Sequence, residues 1–167
     1  SVMVMLTYGS RKFLFTGDAE NGEENTITAD IDCDVLKVGH HGSSTSTSSA
    51  FLTAASPEYA VISCGMGNSY GHPHTETLDR LKAAGAKIYR TDLQGDIIMT
   101  CDGEKITVNV DSASSDGQAS GIYVLNTKSK KIHRADCSSV AKIDSKNLKR
   151  TNDYDGAIPA GYQPCMA

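Results

Sequence analysis

The chain has 167 residues, of which 39% are hydrophobic and 22% charged, and its formal net charge is −4. This composition is typical of a globular protein and excludes disordered and fibrous classes, and the length suits one domain or a domain with a small module. The sequence has no apolar run near the ~20 residues of a membrane-spanning helix and no signal-peptide pattern. An apolar strand-like run starts directly after Ser1, so we expect a fragment that lacks its original beginning.

The charge is distributed unevenly along the chain. Residues 1–120 contain 8 basic and 16 acidic residues, whereas residues 121–167 contain 8 basic and 4 acidic ones. Such asymmetry indicates two units with different roles. The basic segment is suited to contact a polyanion, although a solvated lysine surface explains the same composition.

Strand-like and helix-like segments alternate over the first 110 residues. The acidic residues near Glu20 indicate the start of one helix, and Gly85 indicates the end of another. The spacing of Glu76 and Arg80 predicts an ion pair on the second of these helices. This alternation predicts an α/β layered domain, followed by a Ser/Asp/Gly-rich linker over 111–120. Strands are predicted over 2–8, 12–16, 34–38, 58–63, 87–90, 96–101 and 105–110, and further helices near 47–55 and 75–84.

Three loops that follow predicted strands contain one aspartate and four of the five histidines. They are Thr16-Gly17-Asp18, Gly39-His40-His41-Gly42-Ser43, and the loop 68–74 with His72 and His74. In layered α/β folds, ligands bind outside strand ends, and imidazole with carboxylate suits Zn²⁺, Mn²⁺ or Fe²⁺. Taken alone, each loop has a simpler explanation, since Gly-Asp is often a plain turn and the later histidines can begin a helix.

The motifs in these loops, and their order along the chain, resemble those of a known protein family. From FLFTGDAE through LKVGHHGS to GNSYGHPH, residues 2–110 closely resemble the second half of the metallo-β-lactamase domain of ComEC-type competence proteins. The resemblance implies an αββα metallo-β-lactamase-like fold, C-terminal half, with zinc or manganese at a hydrolase site. It implies that Asp18 bridges two metals and that His41 is a terminal ligand. His40 and His72 would be catalytic, contacting substrate or transferring a proton.

The resemblance also implies a substrate and a missing part. Ser43, Ser44 and Asn68 are expected to bind substrate, the serines by offering groups to an anion at a helix N-terminus. The reaction expected is phosphodiester hydrolysis, in DNA or another polyanion, although phosphorylcholine-ester hydrolysis at a cell surface is an alternative. The family's His-x-His-x-Asp-His run is not in this sequence. We therefore expect the missing N-terminal half to supply the other ligands, and the fragment alone to be inactive.

Residues 121–167 form a separate pattern. Two short strands are predicted over 123–126 and 130–133, followed by His133, Cys137 and Cys165. The segment resembles the small zinc-binding module related to the N-terminal part of Ada-type DNA repair proteins, with the fourth ligand expected just after Ala167. A unit this small has little core, so zinc would supply folding energy to a zinc-stapled α+β module. The alternative is two free cysteines and a surface histidine.

A second class of function has to be considered beside the enzyme. The chain could be a non-catalytic nucleic-acid-binding module, in which the α/β part is a scaffold and the basic tail makes the contact. A salt-dependent DNA affinity that needs only residues 121–167 would favour it. The resemblance to competence proteins implies a surface-exposed or secreted location, membrane-associated through segments outside this sequence.

Overall fold

The chain forms two compact units, residues 1–117 and 118–167. The computed structural model describes residues 1–110, 112, 123–134, 137–151 and 157–165. The predicted linker over 111–120 therefore lies, apart from Ser112, outside the described residues. Within the described residues, no helix is long and apolar enough to cross a membrane.

The first unit is built on a five-stranded mixed sheet. Its strand order is β1-β2-β3-β4-β5, with β1 and β2 antiparallel and the other pairs parallel, and β6 and β7 form a separate antiparallel hairpin. The predicted α/β class is confirmed, although α4 was not predicted. The elements are β1 (Val4–Tyr8), β2 (Arg11–Phe15), α1 (Asn21–Glu24), β3 (Val35–Lys37), α2 (Ser49–Ala55), β4 (Tyr59–Ile62), α3 (Thr75–Ala83), β5 (Lys87–Arg90), α4 (Thr91–Gln94), β6 (Met99–Cys101) and β7 (Ile106–Val108).

One face of this sheet carries the hydrophobic core. Alternate side chains of the central strands, among them Leu14 and Leu36, are buried against the apolar faces of α2 and α3. Leu78 and Leu81 lie three residues apart and share one side of α3, as the helical period requires. Because β2, β3 and β4 are parallel neighbours, the loops after them emerge at the same edge of the sheet.

The opposite face of the sheet exposes large apolar side chains. Val4, Leu6 and Tyr8 alternate along β1 and are 50%, 52% and 55% exposed, and Phe15 of β2 pairs with Val4. Because side chains alternate across a strand, all four lie on the face away from the core. An apolar sheet face normally packs against a second layer. The first unit therefore has the surface expected of one layer of a larger domain.

The second unit contains a small four-stranded sheet in the order β10-β8-β9-β11. The two strands predicted here from the sequence are confirmed. A few side chains of β8 and β9, such as Val124 and Ile132, are fully buried and form its modest core. Its elements are β8 (Tyr123–Asn126), β9 (Lys131–Arg134), β10 (Leu148–Thr151) and β11 (Gln163–Pro164), with short 3-10 turns at Val140–Lys142 and Ser145–Asn147.

Candidate functional site

The Gly-Asp and His-His loops meet at one edge of the sheet. Because β2 and β3 are parallel neighbours, the segment after Phe15 and the segment after Lys37 leave the sheet side by side. The backbone N–H of His40 donates to the Gly17 carbonyl at 2.9 Å. Asp18 and the two adjacent histidines are thus brought together by strand order alone.

The His-His-Gly segment has an unusual backbone. His40, His41 and Gly42 have φ values of 45°, 56° and 85°, in the left-handed region that costs a non-glycine residue about 1–2 kcal/mol. The Gly42 carbonyl accepts the His74 N–H at 2.9 Å, and a β-carbon on Gly42 would lie 2.6 Å from Cβ of Pro73. The loop is thus held tightly against the histidine-rich loop that precedes α3.

The close approach at Gly42 predicts a measurable cost. Gly42→Ala should lower the free energy of unfolding by more than the ~1–2 kcal/mol of the left-handed conformation alone, since the new methyl meets Pro73. Gly85→Ala is the matched control, because Gly85 has a φ of 76° and open space around it. Denaturant titration of both variants measures the difference. Equal losses would mean that the Pro73 contact relaxes freely.

Asp18 and His41 form a pair suited to a metal. Nδ1 of His41 lies 2.6 Å from the Ser63 carbonyl oxygen, which can only accept, so the ring proton is on Nδ1. In the neutral ring, Nε2 then carries the lone pair, and it faces Oδ1 of Asp18 at 3.8 Å. Two donors with bonds of ~2.1 Å each reach a common ion across such a gap. A ligating histidine held by a carbonyl at its other nitrogen is the usual arrangement in metal sites.

His72 completes a cluster of imidazoles. Its ring centroid lies 5.7 Å from that of His40, 6.4 Å from that of His41 and 4.9 Å from that of His74. Burial, and then the neighbouring imidazoles, lower the pKa of His72. A neutral ring at this position is better suited to accept a proton or to contact substrate than to donate a proton.

His74 has a structural role, in agreement with its expected place at a helix start. Its Nδ1 accepts the backbone N–H of Ser44 at 2.9 Å, and its Nε2 contacts the Tyr70 carbonyl at 3.2 Å. Both nitrogens are therefore used within the protein. The ring joins two loops and leaves no nitrogen for a metal.

The residues predicted to bind substrate face other parts of the protein. Ser43 is buried with its hydroxyl 3.0 Å from that of Thr45, and the Asn68 amide bonds to both backbone groups of His72. α2 begins at Ser49 with Ser48 as its N-cap, so Ser44 does not lie in the first turn of that helix. The backbone N–H of Ser44 is already used by His74. A substrate role for these three residues stays a prediction, and their contacts favour loop support.

Two residues that were not predicted to belong to the site hold the segment after the histidines. The buried Glu24 carboxylate accepts the backbone N–H groups of Thr47 and Ser48. The guanidinium of Arg80 donates to the carbonyls of Ser46 and Thr47, each at 2.9 Å. The predicted ion pair of Arg80 with Glu76 is replaced by these contacts, because buried carbonyls need donors whereas a surface pair contributes little.

The second unit contains a compact Cys/His cluster. Ligand atoms of His133, Cys137 and Cys165 all lie within 4.8 Å of one another, and Sγ of Cys137 lies 3.6 Å from Nδ1 of His133. Tetrahedral zinc with bonds of ~2.1 and ~2.3 Å separates nitrogen and sulfur by about 3.6 Å. The parallel pairing of β11 with β9 brings Cys165 to His133.

The environment of His133 fits a metal ligand. The residue is 5% exposed, and its Nδ1 faces Sγ of Cys137 at 3.6 Å. Burial, and then the charge of Lys131, lower the pKa of His133, so the imidazole is neutral at pH 7, as metal coordination requires. The donor set of one imidazole and two thiols is typical of structural zinc.

Comparison with known proteins finds similarity to competence proteins. Residues 1–66 match the family model of the metallo-beta-lactamase superfamily. The chain is 43% identical over 99 residues to Competence protein ComA of Neisseria gonorrhoeae, covering 57% of this chain and 14% of that protein. It is 39% identical over 100 residues to ComE operon protein 3 of Bacillus subtilis, and 36% identical over 98 residues to Recombination protein 2 of Haemophilus influenzae.

The similarity covers only part of each protein. The matches to the Bacillus and Haemophilus proteins each cover 58% of this chain, and 13% and 12% of those proteins. The chain thus spans about one-eighth of the length of these relatives. The mixed α/β fold of the first unit is consistent with a metallo-β-lactamase-like fold, as predicted. The resemblance of the second unit to the Ada-type module stays a prediction.

Proposed function

We propose that the chain is part of a metal-dependent hydrolase of the metallo-β-lactamase superfamily that acts on a phosphodiester, in DNA or another polyanion. The observation that carries the proposal is the pairing of Asp18 with Nε2 of His41, whose Nδ1 faces the Ser63 carbonyl, at a strand-end edge. The matched family model and the relatives named as competence and recombination proteins support the reaction class and the link to DNA uptake.

The residues of this chain have distinct roles in the proposed reaction. Asp18 and His41 would hold zinc or manganese, which when bound makes hydroxide available near neutral pH. His40 and His72 lie at the same rim and would transfer a proton or contact the phosphate. Two ligands cannot hold a dinuclear site, so activity requires the longer protein. The test is phosphodiester hydrolysis by that protein, with and without the substitution Asp18→Ala.

For the second unit we propose a structural zinc site at His133, Cys137 and Cys165. The three ligand atoms converge within 4.8 Å in a unit whose core is small. Zinc would join β9 to the segment after β11, two parts of the chain that share only a short parallel pairing. The proposed role is stability and not catalysis, since ligand sets of cysteine with histidine are typical of structural zinc.

The distribution of charge favours a second candidate function, binding of a nucleic acid by the second unit. Residues 121–167 contain 8 basic and 4 acidic residues. Lys128 and Lys130 are exposed in the β8–β9 turn, and Lys149 and Arg150 are exposed on β10, the strand next to β8. Such a surface attracts a phosphodiester backbone without reading its sequence.

Binding by this surface should depend on salt. The double variant K128Q/K130Q should weaken binding of a labelled single-stranded oligonucleotide and reduce the slope of log K against log salt by about 0.7 for each lost phosphate contact. K82Q/K105Q, in the first unit, is the control and should bind as the unaltered chain does. Fluorescence anisotropy at several salt concentrations measures both. Identical curves for the two variants would exclude the turn lysines from any contact.

A further inference from the structure

Glu20 connects the Gly-Asp loop to the histidine loop through its carboxylate. Its Oε1 lies 3.1 Å from Nδ1 of His40 and accepts the hydroxyl of Thr45 at 2.9 Å. Its backbone is also fixed, because its N–H donates to Oε2 of Glu23 at 2.8 Å and the next N–H, of Asn21, donates to the Thr45 carbonyl at 2.9 Å. The carboxylate is therefore held on both sides of the contact with His40.

The contact determines where the proton of His40 lies. An ionised carboxylate has only acceptor atoms, so Nδ1 of His40 must carry the hydrogen in this bond. In the neutral ring, Nε2 then has the lone pair. His41 has the same tautomer for a different reason, since its Nδ1 faces the Ser63 carbonyl. One tautomer depends on a side chain that mutation can remove, whereas the other depends on the backbone.

The contact between Glu20 and His40 is expected to orient the imidazole ring more than it stabilises the fold. The Glu20 and His40 side chains are 49% and 34% exposed, and exposed ion pairs typically contribute 0–1 kcal/mol, roughly, to folding. The backbone of His40 already fixes where the ring begins, through its φ of 45° and its bond to Gly17. What the backbone leaves free is the rotation of the ring and the choice of tautomer.

We infer that Glu20, supported by Thr45, is the positioning residue of His40, fixing the Nδ1–H tautomer so that Nε2 is free for the chemistry of the site. The inference rests on the proposed function for the role of His40, although the tautomer itself belongs to this chain. It also separates the two neighbouring histidines. His41 is held by a backbone carbonyl and His40 by a carboxylate side chain.

The test is the tautomer of His40, read from ¹⁵N chemical shifts of the 167-residue chain at roughly pH 8.5, about two units above the ordinary imidazole pKa. We expect Nδ1–H for His40 in the unaltered chain, a shift toward Nε2–H in Glu20→Ala, and retention of Nδ1–H in Glu20→Gln, whose amide oxygen still accepts. His41 serves as an internal control in the same spectra and should keep Nδ1–H throughout.

Two outcomes would overturn the inference. One is an Nε2–H tautomer of His40 in the unaltered chain, and the other is an unchanged Nδ1–H tautomer in Glu20→Ala. If Glu20→Ala does not fold, Thr45→Val, which removes one support of the carboxylate, should give a smaller shift in the same direction, and no shift contradicts the inference. Hydrolysis by the longer protein is a separate readout. Its absence from the unaltered enzyme would reject the proposed function and leave the tautomer result standing.

Discussion

Removal of zinc is expected to unfold the second unit. The substitution Cys165→Ser should have the same effect, because it removes one of three ligands that converge within 4.8 Å. Structural zinc contributes on the order of 10 kcal/mol of folding free energy in small modules, whereas a core of so few buried side chains contributes only a few kcal/mol. The loss should therefore exceed the intrinsic stability of the unit.

Amide hydrogen exchange measures this effect unit by unit. With a chelator, or in Cys165→Ser, amides of β8, β9 and β10 should lose protection, while those of β3 and β4 in the first unit keep it. Cys101→Ser is the control, since Cys101 lies in the first unit and outside the cluster. Protection that survives both treatments would show that the cysteines are free thiols and that the unit is stable without metal.

The substitution Asp18→Ala is expected to abolish activity and reduce metal content in the longer protein. Asp18 is the only carboxylate that faces Nε2 of His41 in the described residues, and the resemblance implies that it bridges both metals. Loss of an outer-shell partner alone costs roughly 10- to 100-fold in metal affinity or activity. Loss of a residue that would hold the metal itself should cost more than about 100-fold.

Elemental analysis and phosphodiester hydrolysis measure the two effects. Asp79→Ala is the matched control, because Asp79 is an exposed aspartate on α3 that forms an ion pair with Lys82. The longer protein should hold metal that both the 167-residue chain and Asp18→Ala lack. Equal metal in all of them, regardless of Asp18, would reject the hydrolase site and favour the nucleic-acid-binding alternative.

The sequence alone determined the class of fold and where chemistry-bearing residues lie. Periods of 2 and 3.6 are local signals, and they predicted the strands of the first sheet and the apolar side of α3. Because parallel strands end at one edge, the order of elements was enough to bring Asp18 to His41. The same local patterns predicted the strand pair that contains His133, and the tertiary structure brings Cys165 to it.

Only the tertiary structure decided how these residues are held. Arg80 donates to a carbonyl of the loop instead of pairing with Glu76, and the Glu20 carboxylate contacts His40. In both contacts the two residues are distant in sequence. His72 and His74 lie in one loop but differ in their contacts. Both ring nitrogens of His74 contact groups of the protein, whereas the ring of His72 packs against the imidazoles of His40 and His74. Such contacts form only when folding brings distant parts of the chain together, so local sequence patterns cannot predict them.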